Sequence, residues 1–100
     1  MSSSRYAAEF FGTFVFLSVI LQVTRAGSST GPVTPLYIAL GLLAAVLLVG
    51  PISGCHVNPA ISVMSAVNKS LPMSDLLPFV AAQLLGGLAA NSVFDMVMKK

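Results

Sequence analysis

The chain has 100 residues and a formal net charge of +2; hydrophobic residues make up 56% of it and charged residues only 8%. Soluble domains carry ~45–50% apolar and ~25% charged residues, so a water-facing globular surface is excluded and a lipid-facing one is expected. The basic residues Arg5, Arg25, Lys69, Lys99 and Lys100 are scattered, which excludes a nucleic-acid footprint, and the single cysteine, Cys55, allows no disulfide within the chain.

The first apolar segment runs from Tyr6 to Val23. At ~1.5 Å per residue it spans ~27 Å, close to the thickness of a bilayer core. Arg5 ahead of it and Thr24-Arg25-Ala26 behind it loosely resemble a cleaved leader. Glu9 interrupts the run and the remaining chain is equally apolar, so a membrane helix is expected instead. Thr24 to Thr34 is rich in Gly, Ser and Thr and reads as a surface loop. Pro35 suits the first turn of a second helix, expected over 36–49.

Gly50-Pro51-Ile52-Ser53-Gly54-Cys55-His56-Val57 carries too many breakers for a helix, yet it lacks the polarity of an exposed loop. Asn58 and Pro59 then supply an N-cap and a first helical residue. A short helix is expected from Pro59 to Val67, with Asn68 able to end it. Its length is ~13 Å, about half the hydrocarbon thickness. The stretch 50–67 therefore reads as a re-entrant segment, with extended chain entering and a half-helix returning. Irregular backbone at membrane depth persists only inside protein or against water, so a water-lined cavity is implied. The alternative is three plain membrane helices joined by an ordinary loop at 50–75. A last helix is expected over 76–98, with Ser74 or Asp75 as cap, Pro78 in its first turn and Lys99 and Lys100 in the interface. The fold class is thus all-α: three transmembrane helices plus one re-entrant half-helix. Ala8 and Gly12, Gly41 and Ala45, Ala82 and Gly86, and Gly86 and Ala90 are small residues four apart, a spacing that lets helix backbones approach in lipid.

Ala8 to Phe14, Ser53 to Ala60, and Ala82-Gln83 with Gly86 are three passages that together resemble the aquaporin, or major intrinsic protein, family. Ala8-Glu9-Phe10-Phe11-Gly12-Thr13-Phe14 is similar to its first-helix signature, and Ala82-Gln83 with Gly86 to its third helix. Ser53-Gly54-Cys55-His56-Val57-Asn58-Pro59-Ala60 is similar to its first pore loop, with Asn58-Pro59-Ala60 the hallmark tripeptide. Family members have two inverted halves and two such loops, and this chain resembles the N-terminal half. The family's second loop usually places Arg after the tripeptide; here that position is Ile61. An aromatic residue is common in the second helix, where Ile38 stands here.

The resemblance implies a passive channel for water and small uncharged solutes such as glycerol. It implies that Asn58 presents its amide to the pore beside the partial positive charge of its helix end. Pro59, Ala60 and Ile61 sit at that end, and Gly54, Cys55, His56 and Val57 offer backbone carbonyls along the path. It further implies that Glu9 holds the loop through backbone N–H groups, with Gln83 bracing it. An intramembrane carboxylate is also compatible with proton coupling, so a small proton-coupled exporter using Glu9 is the rival, and a non-transporting fragment the third reading. His56 reads as a loop anchor, Gln83 equally as a helix-contact residue, and Asp95 as interfacial. No cofactor, metal-ligand spacing or catalytic grouping is expected. The expected partners are membrane lipid, the solutes, and a second half from an antiparallel copy or a complementary half-channel chain.

Overall fold

The computed structural model describes residues 2–26 and 33–98. Four helices follow in chain order: α1 (Ser2–Thr24), α2 (Val33–Ser53), α3 (Pro59–Val67) and α4 (Met73–Met98). Among the described residues, α1 from Ser3, α2 and α4 are each long and apolar enough to cross a membrane. The chain is an all-α integral membrane protein. Residues 27–32, within the expected surface loop, and the expected interfacial pair Lys99 and Lys100 lie outside the described residues.

Packing follows the small residues. α1 lies between α2 and α4, and α3 packs against α4. The buried residues of α2 are Gly41, Ala45, Val49 and Ser53, a stripe with a step of four that faces α1. Most of the rest of its surface is apolar and exposed. A helix in lipid needs no polar outer face, because its backbone hydrogen bonds are closed internally. A Cβ on Gly41 would stand 2.8 Å from Val19, and one on Gly12 would stand 2.7 Å from Val49. Gly86 approaches α1 most closely: a Cβ there would meet the Phe10 carbonyl oxygen at 2.5 Å. Ala8, Ala45, Ala82 and Ala90 are all buried.

The helices outrun the expected boundaries. α1 begins at Ser2 rather than Tyr6, and α2 starts at Val33 and continues through Gly50-Pro51 to Ser53 instead of stopping at Val49. A proline removes one backbone bond, and near a helix end in apolar surroundings keeping the remaining bonds outweighs that loss. The Gly54 amide still donates to the Gly50 carbonyl at 2.8 Å. α4 starts at Met73, with the Asp75 amide bonded to the Pro72 carbonyl at 2.9 Å. Asp75 and Ser74 therefore lie in the first turn rather than at the cap. The Asp75 carboxylate is instead taken by α1, where it pairs with Arg5 and accepts the Tyr6 hydroxyl at 2.5 Å. This clamp sets the N-terminal ends of α1 and α4 side by side.

Candidate functional site

The site is built where α2 ends and α3 begins. Asn58 has extended backbone (φ −158°, ψ 122°), and its Oδ1 accepts the Ala60 amide at 2.8 Å. This is an N-cap with proline in the first turn, and it fixes where the half-helix starts. Asn58, Pro59, Ala60 and Ile61 are all exposed there.

The stretch before it has an unusual backbone. Gly54, Cys55 and Val57 have φ of 88°, 51° and 44°. Glycine adopts such values freely; a β-branched residue such as Val57 does so only under constraint. The constraint is Glu9, whose side chain is wholly buried on α1. Its Oε2 accepts the Ser53 hydroxyl at 2.6 Å and the His56 amide at 2.9 Å. Its Oε1 accepts the Val57 amide at 2.9 Å and the Gln83 side-chain amide at 3.0 Å. The Ser53 hydroxyl oxygen in turn accepts the Cys55 amide at 3.2 Å.

Every peptide bond here is trans, so each C=O points opposite to the N–H of its own peptide unit. Three consecutive N–H groups, from Cys55 to Val57, turn toward Ser53 and Glu9. The carbonyls of Gly54, Cys55 and His56 therefore turn away from that anchor. Four donors thus surround the Glu9 side chain, two on each oxygen.

A second layer of contacts supports the loop from α4. Gln83 Nε2 also donates to Ser62 Oγ at 2.9 Å, and Ser62 Oγ lies 2.9 Å from His56 Nδ1. The His56 ring stands edge-on to Phe79 with centroids 5.2 Å apart. Phe79 is fully buried, with Tyr6 at 6.1 Å on another side and the Arg5 guanidinium 5.9 Å from its ring centre. The Arg5–Asp75 clamp thus reaches the loop through one aromatic ring.

Cys55, His56, Val57, Asn58 and Ile61 line a cavity of about 340 Å³, closed on its other side by Phe16, Leu42 and Val46. Of the residues singled out in the sequence, these five share that cavity. Glu9 and Gln83 lie behind it, Gly54 and Ala60 flank it, and Pro59 borders a neighbouring cavity of about 390 Å³. Ile38 is half-buried on α2 and does not belong to the cavity wall. Asp95 is exposed on α4. Among the described residues no cluster of metal-ligating side chains forms.

Sequence reasoning missed Ser62, wholly buried at the centre of the relay, and gave Ser53 no role of its own. Two serines, Ser62 and Ser65, in an otherwise apolar half-helix were the available signal, and nothing in the sequence singles out Ser62 of the two. Nothing in the sequence pairs Arg5 with Asp75, which stand 70 positions apart.

These elements define half of an aquaporin-type fold: three apolar helices, with a capped half-helix held against them by a buried carboxylate. The chain belongs to the major intrinsic protein family, whose pattern it matches over residues 1–100. It is 31% identical to Aquaporin AqpM of Methanothermobacter thermautotrophicus, an alignment covering 92% of this chain and 46% of that protein. It is 30% identical to Aquaporin Z of Rhodopseudomonas palustris (97% and 43% covered). It is 37% identical to Aquaporin NIP3-1 of Arabidopsis thaliana (89% and 29% covered). The chain spans less than half the length of these relatives.

Proposed function

We propose that this chain supplies one half of a passive membrane pore for water and small uncharged solutes such as glycerol. The pore is completed by a second half in inverted orientation, and an inverted copy of the same chain can provide it. The observation that carries this reading is the Asn58-capped end of α3, which opens on the cavity lined by Cys55, His56 and Val57. The helix end carries about half a positive charge, and the carbonyls turned away from Glu9 offer acceptors. Donors and acceptors laid along one path let water pass in single file while the helix end disfavours cations.

The second half has a face to meet. Pro59, Thr13 and Gln83 border the neighbouring cavity, and Thr13 Oγ1 and Gln83 Oε1 are buried there with no hydrogen-bond partner among the described residues. The exporter reading is disfavoured because Glu9 already accepts four hydrogen bonds and lies behind the loop rather than on the cavity wall. Liposomes containing only this chain test the proposal. Osmotic swelling faster than in protein-free liposomes, and swelling in a glycerol gradient, are expected, because Ile61 stands where a filter arginine would narrow the path. Swelling no faster than lipid alone, for correctly folded protein, overturns the self-paired pore.

A further inference from the structure

The short contacts from Glu9 through Gln83 and Ser62 to His56 form one continuous chain of hydrogen bonds, whose proton order follows once Glu9 is a carboxylate. With Glu9 as a carboxylate both of its oxygens only accept, and the Gln83 group 3.0 Å from Oε1 is then the NH₂ and not the carbonyl. The second hydrogen of that NH₂ is directed at Ser62 Oγ, 2.9 Å away. Ser62 Oγ thus accepts from Gln83 and still has one hydrogen to donate. His56 Nδ1, at 2.9 Å, is the acceptor in reach. Ser62 is wholly buried, so its hydroxyl hydrogen has no water to turn to. A neutral imidazole that accepts at Nδ1 carries its proton at Nε2.

We propose that Ser62 is a positioning residue that locks His56 in the Nε2–H form, so that the ring presents a donor to the conduction path. Placing that donor on the path rests on the pore reading above, because His56 lines the cavity beside Asn58. Among the described residues none hydrogen-bonds Nε2, and His56 as a residue is half-buried. The order of protons runs one way, from Glu9 through Gln83 and Ser62 to His56. With Glu9 a carboxylate the direction is imposed, since turning the Gln83 amide would set acceptor against acceptor at Glu9, and a proton at His56 Nδ1 would leave the buried Ser62 hydroxyl hydrogen unpaired. The consequence for specificity is direct. With its lone pair turned inward to Ser62, the ring offers passing molecules N–H alone, in the same sense as the N-terminal end of α3. Oxygen acceptors of water and hydroxyl solutes are favoured there, and a hydrated proton or other donor-only cation finds no imidazole lone pair.

His56 is the only histidine in the sequence, so its ring nitrogens can be read without ambiguity. The experiment is nitrogen-15 NMR of the histidine-labelled full chain in lipid, near neutral pH. The expected parent spectrum shows a protonated Nε2 and a bare, hydrogen-bonded Nδ1. Ser62→Ala is expected to raise the ratio of Nδ1–H to Nε2–H at least about tenfold, a change of ~1.4 kcal/mol. Ser62→Thr keeps the hydroxyl and is expected to restore the parent ratio, which a merely space-filling role for Ser62 would not require. A parent carrying its proton at Nδ1, or at both nitrogens, overturns the proposal whether or not any variant folds. An unchanged ratio in folded Ser62→Ala overturns it too. Osmotic swelling of the same parent liposomes reports on the pore separately: no swelling with the Nε2–H form present refutes the path and leaves the proton order standing.

Discussion

Placing a carboxylate within a membrane helix is costly unless its charge is matched by donors. Glu9 meets that condition with four, two of them backbone amides of the strained stretch that ends in Val57. Removing the charge while keeping the shape tests what it does. In Glu9→Gln the side chain keeps one oxygen, and its NH₂ is set against two of the former donors. Loss of ~1–3 kcal/mol of stability is expected from groups left unpaired, with passive water flux persisting in the folded fraction. Flux in the parent that requires a pH gradient, together with total loss in a well-folded variant, would favour the exporter. Cys55 is the second probe at this scale. Its side chain is buried, yet the residue borders the cavity three positions before Asn58. A mercurial is expected to slow swelling reversibly, and Cys55→Ser is expected to conduct and resist the reagent. Confirmed labelling of Cys55 without inhibition would place it off the path. Glu9 and Asn58 stood out in the sequence because an acid in an apolar run and an Asn-Pro pair each violate the surrounding pattern. Ser53 and Ser62 were not legible as relays, since a serine is common in membrane helices and its partner is set by the register between helices.

Among the helices, the small-residue spacing was the readable part and the ends were not. Gly12, Gly41 and Gly86 each take up a close approach that a four-residue step announces. Gly50-Pro51 looked like a terminus, because a local reading weighs the lost N–H and not the cost of opening backbone to lipid. The close approach at Gly86 gives a graded test. A Cβ there would stand 2.5 Å from the Phe10 carbonyl oxygen, which belongs to backbone and cannot move aside. At the adjacent Gly87 it would meet only Leu17 Cδ1, the end of a flexible side chain, at 3.0 Å. Gly86→Ala is expected to cost ~1–3 kcal/mol through overpacking and Gly87→Ala clearly less, as read by unfolding in mixed micelles. Equal effects at the two sites would mean that α1 and α4 are not in direct backbone contact. Because Gln83 lies one turn before Gly86 and bonds to Glu9, the same separation that Gly86 permits also sets the reach of the brace. Gly86→Ala should therefore reduce water flux as well as stability.

For the whole molecule, the Arg5–Asp75 clamp brings the starts of α1 and α4 together, so these helices run parallel and α2 runs back along the other side of α1. Three crossings place the segment before α1 and the segment after α4 on opposite sides of a membrane. By position in the sequence Arg5 and Lys69 fall on one side, and Arg25, Lys99 and Lys100 on the other. Orientation follows the side with more Lys and Arg in short loops, and two against three gives little bias. Arg5 is also partly neutralised by Asp75, although acidic residues count for little in that rule. A pore closed by two copies needs the second copy inverted, so that two half-helix ends meet from opposite faces; parallel copies would leave both α3 segments entering from the same side. A chain with nearly balanced flanking charge can supply both orientations from one sequence. The expected outcome is dual insertion: a small tag at either end, probed in intact cells with a membrane-impermeant reagent, is labelled in part from outside and in part only after permeabilisation. Moving the balance should matter as much as the tags. Three added lysines next to Arg25 are expected to drive nearly all copies one way and abolish water flux from the chain alone, and mixing in a variant with lysines added beside Lys69 should restore it. Uniform orientation of the parent, with water flux intact, would sink self-pairing and require that the second half come from a different chain.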